Sequence, residues 1–189
     1  MINGKNIIEK AFTEIDRGDF VLPQYLGSVD VDAPLPIGEG QTISQPTTVK
    51  MMLEWLDPRP GEKVLDIGSG SGWTTALLAN IVGPEGKIYA VEIIPELKKF
   101  GEENCCCAGI KNVEFFLAGA VLGLPEFAEF DRILVSAAAE ELPKELLDQL
   151  KVGGKLVIPI GNSIFEIKKE KSGAKSIEHR GFVFVPLIY

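Results

Sequence analysis

The segment K-V-L-D-I-G-S-G-S-G-W at 63–73 limits what this chain can fold into more than any other. An apolar run drops straight into three glycines spaced two apart, Gly68, Gly70 and Gly72, and then into helix-forming sequence. It reads as a strand, a tight turn and a helix start. At these positions a missing Cβ permits positive φ and lets a ligand come within van der Waals reach of the backbone. The helix that follows turns its unpaired N–H groups toward the same space. From residue 63 onward this unit recurs. KVLDI leads to TTALLANIV, KIYAVEI to PELKKFGEENCCC, then VEFFLAG and FDRILVSAAA read as strands. PKELLDQL reads as a helix, and KLVIPIG as a strand after a turn at Gly153 and Gly154. Such alternation predicts an α/β fold, a mostly parallel sheet with helices on both faces and right-handed crossovers. The tail departs from it. SIFEIKKEK and FVFVPLIY read as strands separated by SGAKS with no helix between, so an antiparallel edge is expected. The charges of KKEK read as a solvated strand face rather than a docking surface.

Two ligand classes use a loop of this kind. Dinucleotides take G-x-G-x-x-G, and S-adenosylmethionine takes D/E-x-G-x-G-x-G. The third dinucleotide glycine would fall at position 73, where Trp73 is too bulky for close helix-to-strand packing. Asp66 and the glycine register match the second pattern. A turn without a ligand is the remaining alternative, but it has no need of three conformationally costly glycines. The strand KIYAVEI ends on Glu92. An acid at the end of the second strand of a nucleoside-binding sheet holds ribose hydroxyls by two O–H···O⁻ bonds; otherwise it is a surface residue flanking a helix. Asp66 either neighbours a cationic sulfonium or bonds loop amides. Phe115 and Phe116 read as core rather than as an adenine slot.

A chain of 189 residues is long enough for one self-sustaining core. We expect a single domain over 1–189: N-terminal helices and a substrate-covering loop at 1–56, a βαβ cofactor core at 57–161, and antiparallel strands at 162–189. The net charge of −8 and the absence of a basic stripe argue against a nucleic-acid partner. The N-terminal sequence MINGKNIIEKAF has no signal-peptide core, and no apolar run approaches about 18 residues. A cytoplasmic monomer without membrane contact is expected. Cys105, Cys106 and Cys107 are adjacent, which suits neither metal ligation nor mutual disulfides, so no metal site is expected and they read as small helix residues.

The segment DVDAPLPIGEGQTISQP at 30–46 is too apolar for a linker and too interrupted by proline and glycine for a helix or long strand. It reads either as a cover over a ligand site, with Thr42, Ser44 and Gln45 offering polar groups to a substrate, or as an ordinary ordered loop. TTVKMMLEWL after Pro46 reads as a helix laid on the sheet.

Six blocks in order resemble the protein-L-isoaspartate (D-aspartate) O-methyltransferase family: LPIGEGQTISQP (35–46), VLDIGSGSGW (64–73), VEIIPEL (91–97), FDRILVSAAAEELP (130–143), QLKVGGKLVIPIG (149–161) and FVFVPL (182–187). The resemblance implies a Rossmann-like class I fold, a seven-stranded sheet whose last strands are reordered. It implies S-adenosyl-L-methionine as cofactor, S-adenosyl-L-homocysteine as product and isoaspartyl peptides or proteins as partners. By the same resemblance Ser44 is the active-site serine. Asp66, Gly68, Ser69, Gly70 and Gly72 form the cofactor loop, with Glu92 on the ribose and Thr42, Ile43 and Gly119 also at the cofactor. Pro36, Ile37, Ser44, Ala137, Ala138 and Val185 would wall the peptide groove.

Two features depart from the family pattern. Where it commonly has G-D-G after the third strand, this chain has Ala118, Gly119 and Ala120, which removes one polar adenine contact. Loss of a charge-assisted hydrogen bond of about 1.5–3 kcal/mol weakens binding roughly ten- to a hundred-fold. The chain also begins close to its A-F-T-E-I-D-R-G-D-F block at 11–20, so peptide contacts further upstream would be missing. The implied chemistry asks little of side chains, since an acceptor carboxylate with a pKa near 4 is already ionised at neutral pH. His179, the only histidine, is expected in the tail turn, away from catalysis. The alternatives are a homologue that binds without turnover and a methyltransferase for another carboxylate or a small molecule.

Overall fold

A computed structural model describes residues 4–188. Its axis is β3 (Lys63–Ile67), of which only Lys63 keeps appreciable exposure. Such a continuous apolar run marks a strand covered on both faces. It lies between β4 (Lys87–Glu92) and β6 (Phe130–Val135), parallel to both. Beyond β4 is β5 (Val113–Leu117), and beyond β6 are β7 (Leu150–Ile160), β8 (Ser163–Glu170) and β9 (Gly173–Arg180). The sheet therefore runs β5-β4-β3-β6-β7-β8-β9, with β8 antiparallel to both of its neighbours, β7 and β9. The chain first builds outward from β3 to β5 and then restarts on its other side with β6. The crevice at the carboxyl ends of β3, β4 and β6 is thus a topological switch point, where open α/β sheets bind ligands.

Alternate strand residues feed two cores. Val64, Ile88, Leu134 and Val157 pack under α1 (Gly4–Glu14), α2 (Pro46–Leu56), α3 (Trp73–Val82) and α4 (Pro95–Cys107). Leu65, Val91, Ile133 and Leu156 face α5 (Lys144–Asp148), Leu122 and Leu124. A short hairpin, β1 (Leu35–Gly38) with β2 (Gln41–Ile43), stands before α2. No helix among the described residues is long and apolar enough to cross a membrane.

Three sequence expectations need correction. The edge hairpin is made by β8 and β9, closed through Lys171 and Ser172 with Glu170 opposite Gly173, so SGAKS opens a strand and His179 lies within it. Strand β9 is exposed along nearly its whole length and charged, as unpaired edges are, which hides its periodicity. FVFVPLIY makes no ladder: Pro186 has no N–H to donate, and the segment pairs with the fold at one bridge, Ala138 to Pro186. Gly153 and Gly154 do not precede β7 but sit within it. The pairing with β6 slips there, Phe130 facing Leu150 and Arg132 facing Lys155. A Cβ on Gly154 would stand 2.8 Å from the Asp131 carbonyl oxygen, so only glycine passes. Phe115 and Phe116 do belong to the two cores, one on each face of β5.

Candidate active site

The crevice at the switch point encloses about 1070 Å³, part of it open to solvent. Its floor is the glycine loop. Gly68, Gly70 and Gly72 have φ of 78°, 51° and 85°, in the region that favours glycine. The loop is tied to β4 by the N–H groups of Gly68 and Ser69, which both donate to the Val91 carbonyl at 2.8 and 3.1 Å. Gly68, Ser69 and Gly70 line the crevice, whereas Gly72 sits behind it as the N-terminal flank of α3. A Cβ there would meet the Gly101 carbonyl oxygen of α4 at 2.7 Å, so this third glycine serves helix packing. Next to it Cys105 is buried, its thiol donates to the Gly72 carbonyl oxygen at 3.4 Å, and burial pushes its pKa up to about 12. Cys106 and Cys107 are exposed.

Glu92 is the one acidic side chain on the wall among the described residues. It is 6% exposed; Oε2 accepts from the Gly70 N–H at 2.8 Å, and Oε1 accepts from Ile93 and Ile94 at 2.9 and 3.1 Å. Three amides therefore fix this carboxylate at the strand end. Asp66, expected to touch the cofactor, is fully buried behind the loop. Its Oδ2 accepts from the Thr75 hydroxyl of α3 at 2.6 Å rather than from loop amides, and Oδ1 has no partner among the described residues. Burial raises its pKa to about 6, the Thr75 bond opposing and the Glu92 charge adding to the shift.

The two ends of the crevice differ. Toward β5 the wall is Ile93, Ala118, Gly119, Val121, Leu122 and Gly123, with no polar side chain. Gly119 faces open space, with nothing within 4 Å of an added Cβ. Buried Gln149, a residue the sequence reading missed, holds this stretch from below. It accepts the Leu124 N–H at 2.7 Å and donates to the Leu122 carbonyl at 2.8 Å.

Toward β6 the wall is Ile37, Thr42, Ile43, Ser44, Ser136, Ala137 and Val185 to Ile188. The Ser44 hydroxyl meets no hydrogen-bond partner among the described residues. Pro36 alternates outward from β1 and is exposed, leaving Ile37 on the wall. Ala138 also stands back: its N–H donates to the Val185 carbonyl at 2.7 Å and its carbonyl accepts from Leu187 at 2.8 Å, which pins the tail across the opening. Ser136 and the residues after Val185 were legible only once the tail's path was known.

These features suit S-adenosylmethionine. A carboxylate fixed at the second strand end matches vicinal hydroxyls, and an apolar end without polar side chains admits a flat ring. No lysine or arginine lines the crevice among the described residues, so an anionic group finds no side-chain counter-charge, whereas a cationic sulfonium finds Glu92. Fold and site together define a class I S-adenosylmethionine-dependent methyltransferase.

A model of the family described as protein-L-isoaspartate(D-aspartate) O-methyltransferase (PCMT) matches residues 1–189, and the chain belongs to this family. It is 46% identical over 187 residues to the protein-L-isoaspartate O-methyltransferase of Pyrococcus horikoshii, covering 96% of this chain and 84% of the relative. With the protein of that name from Aeropyrum pernix it shares 45% over 194 residues, covering 100% of this chain and 74% of the other. A solved protein-L-isoaspartate O-methyltransferase superposes with a TM-score of 0.90 at 30% identity; the match spans 97% of this chain and 62% of that one. A putative protein-L-isoaspartate O-methyltransferase from Plasmodium falciparum, in complex with S-adenosyl-L-homocysteine, superposes with a TM-score of 0.85 at 27% identity, covering 100% and 92%.

Proposed function

We infer that this chain methylates the free α-carboxylate of L-isoaspartyl residues, and the side-chain carboxylate of D-aspartyl residues as well, in damaged proteins. The observation that carries this reading is that Thr42 to Ser44 and the tail residues Val185 to Ile188 share one crevice with the glycine loop and Glu92. Donor and acceptor would meet there.

In this reading Glu92 holds the ribose, Gly68 to Gly70 approach the cofactor through backbone, and the base lies toward Gly119. Asp66 acts from behind the loop through Thr75. When bound, the cofactor supplies an electrophilic methyl group on a cationic sulfur. The chain's own task is to orient and to dry. The acceptor carboxylate is ionised at neutral pH and needs no base, in keeping with a wall that has no histidine or cysteine among the described residues. Both charges diminish as the methyl group moves, so water would stabilise the separated reactants more than the barrier, and exclusion of water by Ile37, Ala137 and the tail favours transfer. Ser44 would donate its free hydroxyl to the carboxylate and align it, which replaces part of the entropy cost of encounter. Unlike a carboxylate, the resulting ester can expel methanol, so the neighbouring backbone nitrogen attacks its carbonyl and closes a succinimide, whose hydrolysis restores some normal aspartyl linkage.

Labelled S-adenosylmethionine with an isoaspartyl peptide should give a base-labile methyl ester that an aspartyl control does not give. Equal behaviour of the two peptides overturns the substrate assignment. Ser44→Ala should cost most on the isoaspartyl acceptor. A second reading, a homologue that binds cofactor and peptide with little turnover, draws on the bare base end at Gly119, and efficient ester formation would remove it. We further propose that the chain acts as a cytoplasmic monomer on protein substrates rather than on nucleic acids or membranes.

A further inference from the structure

One buried cation ties the acceptor wall together, and none of the roles above uses it. Arg17, in the 3₁₀ turn Arg17–Phe20, is 6% exposed. Its Nη1 donates to the carbonyls of Val29 and Val31 at 3.0 and 3.1 Å, and its Nη2 to those of Ala33 and Ser44 at 2.8 and 3.2 Å. The guanidinium carbon lies 5.4 Å from the ring centroid of Trp73, itself on the crevice wall.

Burial makes this cation costly, and its pKa is lowered accordingly, Asp32 offsetting part of the effect. An apolar side chain would fill the space without that cost. It could not bind four carbonyls in a rigid planar fork. Three of those carbonyls alternate along the strand of chain that leads into β1, and the fourth belongs to Ser44. On the outer side Asp32 grips the same stretch. Its carboxylate accepts from the Thr47 N–H at 2.9 Å, the Thr47 hydroxyl at 2.7 Å and the Gln45 amide at 3.1 Å. The backbone of Ser44 is thus clamped from inside by Arg17, with its neighbours held from outside by Asp32.

We propose that Arg17 is the positioning residue of the acceptor side, setting where Ser44 stands on the crevice wall, with Asp32 as its outer counterpart. The inference rests on the carboxyl-methyltransferase reading above. A displacement of about 1 Å in a positioning group costs on the order of a hundred-fold in rate. Lysine keeps the charge but cannot reproduce the fork.

The test compares Arg17→Lys and Arg17→Gln with the wild-type chain. It measures steady-state methylation of an isoaspartyl hexapeptide and, by calorimetry, the affinity for S-adenosylhomocysteine. Both variants should lose about ten-fold or more in kcat/KM for the peptide, while the Kd for S-adenosylhomocysteine stays within about three-fold, because none of the Arg17 hydrogen bonds reaches Glu92 or the glycine loop. Turnover within about two-fold of wild type in both variants overturns the proposal, and so does a loss of S-adenosylhomocysteine affinity in step with turnover, the mark of general loosening. Should neither variant fold, exposed Asp32→Asn carries the same readout. A loss of about three-fold or more in peptide kcat/KM at unchanged S-adenosylhomocysteine affinity supports the proposal, and no change sinks it. A wild-type chain that forms no ester removes the catalytic reading and this inference with it, whereas an active wild type with indifferent variants removes the role of Arg17 alone.

Discussion

Gly72 and Gly101 face each other where α3 starts beneath α4. A Cβ on Gly72 would stand 2.7 Å from the Gly101 carbonyl oxygen, and one on Gly101 would stand 2.7 Å from that of Gly70. The cofactor loop therefore has a glycine from a different helix as its backing. Gly101→Ala should push the loop out of place, at a cost of roughly 1–3 kcal/mol from overpacking. A lowered Tm together with weakened S-adenosylhomocysteine binding is the expected outcome. A variant as stable and as tight-binding as wild type would show that the loop yields freely.

Asp66 titrates against the usual direction for a structural carboxylate. Burial raises its pKa from 3.8 to about 6 in the folded chain. Between these values the folded state binds the proton that the unfolded state releases, so the Asp66 contribution falls as pH rises from about 4 to about 6 and levels off above. The full effect is on the order of 2–3 kcal/mol. Asp66→Asn should lack this limb. Denaturant unfolding of both proteins across pH 4 to 7 isolates the effect as a difference, and parallel curves would show that Asp66 does not titrate there.

Glu92→Gln replaces one of two accepting oxygens with an NH₂ group in a place where three N–H groups already converge. It also removes the charge offered to ribose hydroxyls. Affinity for S-adenosylhomocysteine should fall about ten- to a hundred-fold, the equivalent of one charge-assisted hydrogen bond. Calorimetry giving a Kd near wild type would move the ribose elsewhere.

Gly119→Asp tests the bare base end. Open space surrounds the site of the new Cβ, so the side chain fits without strain. If it reaches the base's amino group, the Kd for S-adenosylhomocysteine should drop by about ten-fold or more. Unchanged or weaker binding would place the base away from β5.

Much of the crevice floor was legible because a single stretch carries it. Strand β3, the three glycines and Glu92 lie within residues 63–92, and local rules of turn and strand describe them. Two positions stand where the sequence does not show, for a reason of packing. Asp66 has the residue type and register of a ligand contact, and Thr75 of α3 draws its carboxylate inward. Pro36 belongs to the same block as Ile37 but faces outward in a two-residue alternation. The tail was misread because FVFVPL has a strand's composition, and only the third dimension shows that Ala138 holds it across the crevice. Arg17 and Gln149 lie in quoted blocks, but no local rule gives their roles, since each grasps carbonyls or amides that lie from 12 to 27 residues away.

The path of the tail divides the enzyme's inheritance. The residues that would hold the ribose come from one continuous stretch of sequence, while the surface that would meet the methyl acceptor is assembled in part from Ser44 in the N-terminal quarter and Val185 to Ile188 near the other end. If those positions meet the acceptor as proposed, exchanging them would alter what can be methylated without rewriting how the donor is gripped, which would give such a scaffold a short evolutionary route to new acceptors.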